Sequence, residues 1–175
     1  LLVAGLTGCA VSPDGTSSAF FVPAGSGKVE NVPFYSQRTY QCGPASLAGV
    51  INFYGYAVTP DQIAKAIFRD NIKGTVTLDM VLYVREKGFS ARWYSGTAND
   101  IQCAVDGGVP LIVTIDVGFA NLRKYHYMVV IGYGQKGVTV NSGKAREKLM
   151  RWDKFLPRWQ GTKCWTLRIE PEIRE

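Results

Sequence analysis

The sequence predicts an α+β domain in which helices come first and an antiparallel sheet follows. Three helical patterns occupy residues 43–88, and from Phe89 onward the apolar residues fall into short strand-like runs separated by turn residues. Residues 31–175 are enough for one domain with a sizeable core and too few for two. The sequence has no internal repeat.

The helices are predicted from apolar spacing and end signals. The first runs from Gly43 to Tyr54, because its apolar residues recur at helical spacing and Gly55 follows as a stop. Thr59-Pro60-Asp61-Gln62 opens the second with a capping box. The third extends from Thr77 to Gly88, and a short fourth one from Ala98 to Val105 interrupts the strands.

The strands are predicted from runs of β-branched and aromatic residues. Five runs qualify: Phe89–Tyr94, Val109–Val117, Tyr125–Tyr133, Gly137–Asn141 and Lys163–Ile169.

One cysteine stands at a turn in front of the first helix, in Gln37-Arg38-Thr39-Tyr40-Gln41-Cys42-Gly43-Pro44-Ala45. A helix N-terminus carries unpaired N–H groups and a partial positive charge, which lower the pKa of a thiol there. A lone cysteine among apolar residues is more often a small buried hydrophobe. The setting makes Cys42 a candidate nucleophile.

A cysteine nucleophile needs a base, and His126 is the only histidine in the chain. It lies at the head of Tyr125-His126-Tyr127-Met128-Val129-Val130-Ile131-Gly132-Tyr133, a run that predicts a strand. Any Cys/His mechanism must therefore use His126. The sequence contains no metal-ligand cluster and no phosphate-binding loop, so no metal and no cofactor is expected.

These stretches together resemble the bacteriocin-processing, double-glycine-type cysteine peptidases, which belong to the papain-like group. The resemblance is carried by Gln-x4-Cys-Gly-Pro-Ala from Gln37, by Phe53-Tyr54-Gly55 at the end of the first helix, and by the His126 strand. It covers Val32 to Glu170. It implies a papain-like fold, with a cleft between the helices and the sheet, and thiol-dependent cleavage of polypeptides.

The resemblance also implies roles for matching residues. Cys42 corresponds to the nucleophile, His126 to the general base and acid, and Gln37 to the oxyanion-hole donor, with Gln41 as the alternative. A thiolate–imidazolium pair would attack the amide carbonyl before the imidazolium protonates the leaving amine. One oxyanion donor contributes about 3 kcal/mol in known cases.

The third member of the triad is where the sequence departs from its relatives. They usually place an aspartate at the end of the next strand, which here reads Val138-Thr139-Val140-Asn141-Ser142-Gly143. Ser142 lies at the aspartate's position, and neither it nor Asn141 supplies a negative charge. We expect Asn141 to orient His126 through its amide oxygen, with Ser142 as the alternative. A non-catalytic peptide-binding or scaffold module of the cell envelope is the competing interpretation, and acyl transfer to an acceptor other than water is a third.

The N-terminus indicates export. Leu1-Leu2-Val3-Ala4-Gly5-Leu6-Thr7-Gly8-Cys9 is an apolar run that resembles a lipobox, where a signal peptide is cleaved and the cysteine is acylated. The run is too short to span a bilayer, which takes about 20 residues. Because alanine and not aspartate follows Cys9, the expected location is the outer membrane, facing the periplasm, rather than the inner membrane.

The chain is accordingly divided into three parts. Residues 1–8 are the remnant of a signal peptide, residues 9–30 a lipidated flexible tether rich in turn formers, and residues 31–175 the peptidase domain.

Two further cysteines remain after Cys9 and Cys42 are assigned. Disulfides persist in exported proteins. The sequence is therefore compatible with a Cys103–Cys164 bridge and equally with two free thiols.

The net charge of +6 has a concentrated source in the basic segment 144–158. Its six basic residues face only Glu147 and Asp153, and they are Lys144, Arg146, Lys148, Arg151, Lys154 and Arg158. Trp152, Phe155 and Trp159 interleave with them at the spacing of one helix face, so the aromatic side chains are expected to pack while the basic groups form a solvated face. The functional alternative is an anionic partner near the cleft, such as an acidic substrate stretch, lipid headgroups or polysaccharide. Nucleic acid is not expected.

Overall fold

The computed structural model describes residues 23–36, 41–120 and 122–172. The helices in these ranges are α1 Cys42–Phe53, α2 Pro60–Ile67, α3 Thr77–Glu86, α4 Ala98–Asp106 and α5 Trp152–Gln160. The strands are β1 Gly27–Lys28, β2 Phe89–Ser95, β3 Leu111–Asp116, β4 Tyr125–Gly134, β5 Gly137–Ser142, β6 Ala145–Arg151 and β7 Trp165–Pro171. Within these ranges no helix is both long and apolar enough to cross a membrane.

The strands form one antiparallel sheet in the order β2-β7-β3-β4-β5-β6. The short strand β1 pairs with the far end of β4, at Gly132 and Tyr133, beyond the part of β4 that β3 covers. Three helices come before this sheet, and the α+β class is confirmed.

Helices cover both faces of the sheet. Val129 of β4 approaches Gly49 of α1, whereas Met128 lines a cavity together with Lys154 and Arg158 of α5. Because successive residues of a strand point to opposite faces, α1 and α5 lie on opposite sides. The core side of α1 is well packed, since Leu47, Val50 and Ile51 have no exposed surface.

The predicted helices lie where the sequence indicates. The capping box of α2 is present, with the Gln62 N–H donating to Thr59 Oγ at 3.2 Å and the Thr59 N–H donating to Gln62 Oε1 at 2.8 Å. A second capping box opens α4, between Thr97 and Asp100. Two orphan donors at each helix start are thereby satisfied.

The domain begins earlier than the predicted boundary at residue 31. The sequence predicts residues 27–30 as part of the tether, but β1 pairs with β4, the Val29 N–H donates to the Ile131 carbonyl at 2.7 Å, and Val29 is buried. Gly27 reads as a linker residue, yet a Cβ there would lie 2.9 Å from Tyr133 and from Asp106. Close backbone approach explains this glycine.

The basic segment is a strand followed by a helix. Ser142 pairs with Ala145 across a two-residue turn, in which Gly143 has a φ of +60°, so the chain doubles back and β6 adds to the edge of the sheet. The aromatic prediction holds, since Trp152, Phe155 and Trp159 of α5 are all buried. The strand was missed because its residues are mostly charged, which is typical of a sheet edge.

Candidate active site

Cys42 is the first residue of α1. This N-terminal end of the helix lies near the start of β4. The side chain of Gln41, which precedes it, does not cap the helix. The backbone N–H groups of Tyr127 and Gly43 lie near the Cys42 sulfur and favour its thiolate form. Tyr127 directly follows His126 in β4, so the thiol lies near the backbone of the residue next to the histidine.

His126 is the second residue of β4 and is partly buried. Its Nε2 lies 2.9 Å from Ser142 Oγ at the end of β5. A hydroxyl both donates and accepts, so Ser142 is compatible with either tautomer of the ring. With Nε2 engaged by Ser142, Nδ1 is the ring nitrogen available for a proton exchanged with a substrate or a thiol.

Asn141 is not the imidazole's partner, contrary to the sequence expectation. Its Oδ1 accepts the Glu147 N–H at 2.9 Å, and its side chain lies among Tyr35, Ala45 and Ser46 on the α1 side. Neighbouring residues of a strand point to opposite faces, so Asn141 and Ser142 cannot both reach the ring. The structure gives that place to Ser142.

Asn141 instead stabilises an irregularity in the sheet. The register of β5 and β6 shifts between Val140 and Ser142, and Glu147 has a φ of +51°, which non-glycine residues rarely adopt. The hydrogen bond from the Glu147 N–H to the buried Asn141 amide satisfies the backbone at this bulge.

We predict that Asn141→Ala lowers stability and leaves the chemistry intact. The substitution removes a buried hydrogen-bond acceptor and leaves the Glu147 N–H without it. The free energy of unfolding is expected to fall by about 1–3 kcal/mol. Urea unfolding and kcat/KM for a cleaved peptide would be measured together. A large fall in kcat/KM without loss of stability would restore Asn141 to the catalytic group.

Burial dominates the electrostatics of the thiol. Desolvation raises the pKa of Cys42 above its ordinary value of 9.0, although the N–H groups of Tyr127, Gly43 and Cys42 itself and the charge of Lys124 act in the opposite direction. The sequence expectation of a lowered thiol pKa is therefore not met. The nearby N–H groups and the charge of Lys124 reduce a desolvation cost that they do not overcome.

The imidazole is also shifted toward its neutral form. Burial lowers the pKa of His126 below its ordinary value of 6.5, and the positive charge of Lys124 adds to this effect. Both directions favour a neutral thiol and a neutral imidazole over the ion pair expected from the sequence. The Ser142 hydroxyl supplies no charge to offset either shift.

The pH dependence follows from these two directions. Alkylation of Cys42 by iodoacetamide is expected to keep rising through pH 9, because its thiolate forms only above the ordinary pKa. The acid limb of kcat/KM is expected below pH 6.5, because His126 stays neutral and able to accept a proton down to lower pH. An alkylation rate already at its plateau at pH 6 would instead establish a thiolate–imidazolium pair.

Lys124 is the residue that sequence reasoning missed. It lies at the start of the His126 strand and lowers the pKa of both Cys42 and His126. The only signal in the sequence is a lysine two positions before the histidine. Exposed strand ends often carry a charge, so this signal does not single out Lys124.

Three further predicted positions are Gln37, Cys9 and Cys164. Gln37 and Cys9 lie outside the described residues. Cys164 carries a free thiol, so the Cys103–Cys164 bridge is not formed. Cys164 sits in the turn between α5 and β7 with a φ of +52°, held there by the hydrogen bond from its N–H to the Trp159 carbonyl at 2.9 Å.

A cavity of about 390 Å³ opens beside the His126–Ser142 pair, on the α5 face of the sheet. Its walls are Ile115, Val117, His126, Met128, Val140, Ser142, Lys148, Leu149, Met150, Arg151, Lys154 and Arg158. We call it the basic pocket. Across the described part of the chain, no group of three His, Cys, Asp or Glu residues is placed to hold a metal ion.

Solved structures share this fold. A crystal structure of a putative C39-like peptidase from Bacillus anthracis matches with a TM-score of 0.67 and 17% identity, over 85% of this chain and 99% of that one. The peptidase domain of Streptococcus ComA, a bifunctional ABC transporter involved in quorum sensing, matches with a TM-score of 0.68 and 23% identity, over 81% and 100%. A double glycine motif protease from an AMS/PCAT transporter, solved with its leader peptide, matches with a TM-score of 0.67 and 21% identity, over 83% and 94%.

At these identities the likeness establishes the fold, and the predicted peptidase architecture is confirmed. Among curated proteins, none matches this chain. The model of the Peptidase_C39 like family matches residues 29–166, which include Cys42, His126 and Ser142 and almost all of the described domain. The chain therefore belongs to the Peptidase_C39 like family.

Proposed function

We propose that the protein is a lipoprotein cysteine peptidase that cleaves exported polypeptides, with Cys42 as nucleophile and His126 as general base and acid. Membership of a C39-like peptidase family supports a peptidase function. The observation that supports the residue assignment is the position of Cys42 at the start of α1, near the backbone of Tyr127, which follows His126 in β4, together with the contact between His126 Nε2 and Ser142 Oγ at 2.9 Å.

The proposed reaction starts from the neutral pair. As the Cys42 sulfur bonds to the substrate carbonyl carbon, its proton passes to His126, and the C–N bond then breaks as His126 returns that proton to the leaving amine. Water, deprotonated by His126, hydrolyses the thioester and releases the acid and the Cys42 thiol. The Cys42 N–H and the Gln37 side chain would hold the oxyanion.

The substrate class is proposed to be polypeptides cut after small residues. The transporter protease that shares this fold was solved with a leader peptide and is described by its double glycine motif. The test is incubation of the purified protein with peptides containing Gly-Gly, Gly-Ala or Leu-Leu, with products identified by mass spectrometry. Cleavage by the native protein but not by Cys42→Ala is expected, and intact peptides in both would refute peptidase activity.

The membrane anchor is proposed to be an acylated Cys9. Expression of the gene with its full signal peptide in bacteria fed an alkyne fatty acid is expected to label the protein, and Cys9→Ser is expected to abolish the labelling. The outer-membrane fraction should hold the labelled form. Equal labelling of both proteins, or labelled protein mainly in the inner membrane, would contradict the assignment.

A peptide-binding module without catalysis is the second candidate. It is favoured by the uncharged Ser142 beside His126 and by the raised pKa of Cys42. On this alternative, Gly-Gly peptides bind to the native protein and to Cys42→Ala with equal affinity, and neither protein cuts them.

A further inference from the structure

The basic pocket combines an apolar floor with a cationic rim. Its floor consists of Ile115, Met128 and Val140, which are almost completely buried. Exposed basic side chains of β6 and α5 form the rim, and they are Lys148, Arg151, Lys154 and Arg158. His126 and Ser142 form one wall.

The rim charges are largely uncompensated. Arg151 pairs with Asp153 at 3.0 Å, but within the described ranges Lys148, Lys154 and Arg158 form no ion pair. No aspartate or glutamate lines the pocket. Lys154 and Arg158 are four residues apart on α5, so like charges lie on one helix face, an arrangement that costs stability. A bound anion would relieve this repulsion.

We propose that the basic pocket is a subsite that binds an acidic side chain, aspartate or glutamate, of the polypeptide substrate. This inference rests on the proposed function, because it names what the same site recognises. The carboxylate is held by Lys148, Lys154 and Arg158, and the methylene groups of the side chain lie on the apolar floor.

The position of the pocket favours a substrate side chain over a lipid headgroup or a polysaccharide. His126 is part of the pocket wall, so a side chain bound in the pocket lies beside the proposed general base. A lipid surface or a polymer lodged there would compete with every substrate for the catalytic imidazole.

The pocket also includes Ser142, the position at which relatives usually carry an aspartate. Ser142 contacts Nε2 of His126 and carries no charge. An acidic side chain bound in the pocket brings a negative charge to the same wall. The preference for acidic substrates is therefore expected to weaken in Ser142→Asp, which places a carboxylate of the protein's own in the pocket.

The first arm of the test maps cleavage specificity. A proteome-derived peptide library is digested with the native protein and with the double variant Lys154→Glu/Arg158→Glu, and cut sites are read by mass spectrometry. Aspartate and glutamate are expected to be enriched at one fixed distance from the cut in the native digest, and lysine and arginine in the variant digest. Lys65→Glu, an exposed site on α2, is the matched control and should behave like the native protein. The same acidic preference in the native and double-variant digests would overturn the proposal.

The second arm measures binding without catalysis. Fluorescein-labelled Gly-Gly peptides are titrated onto Cys42→Ala. They carry glutamate or glutamine at the position that the digest identifies, or at each position in turn if nothing is cut. The glutamate peptide is expected to bind roughly tenfold more tightly, and Lys154→Glu/Arg158→Glu to remove the difference. This result without any cleavage would refute the peptidase and retain the subsite.

Equal binding of the two peptides would refute the subsite and leave the peptidase standing. Vesicles containing phosphatidylglycerol provide the remaining comparison. If the double variant loses vesicle binding while its glutamate preference persists, the rim is a membrane contact and the proposal is wrong.

Discussion

Replacing His126 with alanine is expected to lower kcat/KM for peptide cleavage by about 100- to 10,000-fold, the usual contribution of a general base. The reason is that burial keeps Cys42 protonated, and the backbone N–H groups around its sulfur do not overcome that cost. Without an imidazole to take the proton, the thiol has no route to its nucleophilic form. Steady-state kinetics on the peptide identified by mass spectrometry would measure the loss.

Alkylation by a peptide chloromethyl ketone separates this chemical role from a structural one. His126→Ala is expected to slow labelling of Cys42 but not of Cys164, whose pKa is likewise raised by burial and which therefore serves as an internal control. His126→Gln preserves a polar side chain in case the smaller residue disturbs the strand. Labelling of Cys42 at the native rate in both variants would mean that the helix N-terminus alone activates the thiol.

Much of the fold could be predicted because its local signals agree with its packing. The apolar spacing of α1 and the capping box of α2 are properties of a few neighbouring residues, and tertiary contacts reinforce them. Strands β1 and β6 could not be predicted in this way. Gly27 and the charged residues of β6 adopt strand structure only because β4 and β5 offer unpaired backbone groups at their edges.

The elements that carry the candidate residues could be predicted from the sequence, and the electrostatics of those residues could not. Sequence spacing placed Cys42 at a helix start and His126 on a strand, and both lie there. The choice between Asn141 and Ser142 depends on which face of β5 each side chain occupies. The β5–β6 register shifts between Val140 and Ser142, so the alternation of apolar and polar residues in the sequence does not predict which of the two faces His126. The direction of the Cys42 pKa depends on its depth of burial, which no local motif encodes.

Restoring a carboxylate at position 142 is expected to increase activity. Removing the aspartate from a serine-protease triad lowers kcat by about 10,000-fold, so Ser142→Asp is expected to exceed Ser142→Asn by at least about tenfold in kcat/KM. The two variants have nearly the same size and differ in charge, so their comparison isolates the electrostatic effect. Ser142→Ala, which removes the hydroxyl 2.9 Å from His126 Nε2, is expected to be less active than the native protein.

An NMR titration of His126 tests whether the carboxylate in Ser142→Asp acts on the imidazole. His126 is the only histidine, so one imidazole signal in the NMR spectrum reports its pKa without further assignment. A negative charge beside the ring stabilises the imidazolium, so the pKa of His126 should be higher in Ser142→Asp than in Ser142→Asn, and the acid limb of kcat/KM should move up with it. If the two titrations coincide, the new carboxylate is drawn to Lys148, Lys154 or Arg158 instead. Adding Lys154→Glu/Arg158→Glu would then free the carboxylate for the ring and raise the pKa of His126, which ties the charge of the basic pocket directly to the strength of the catalytic base.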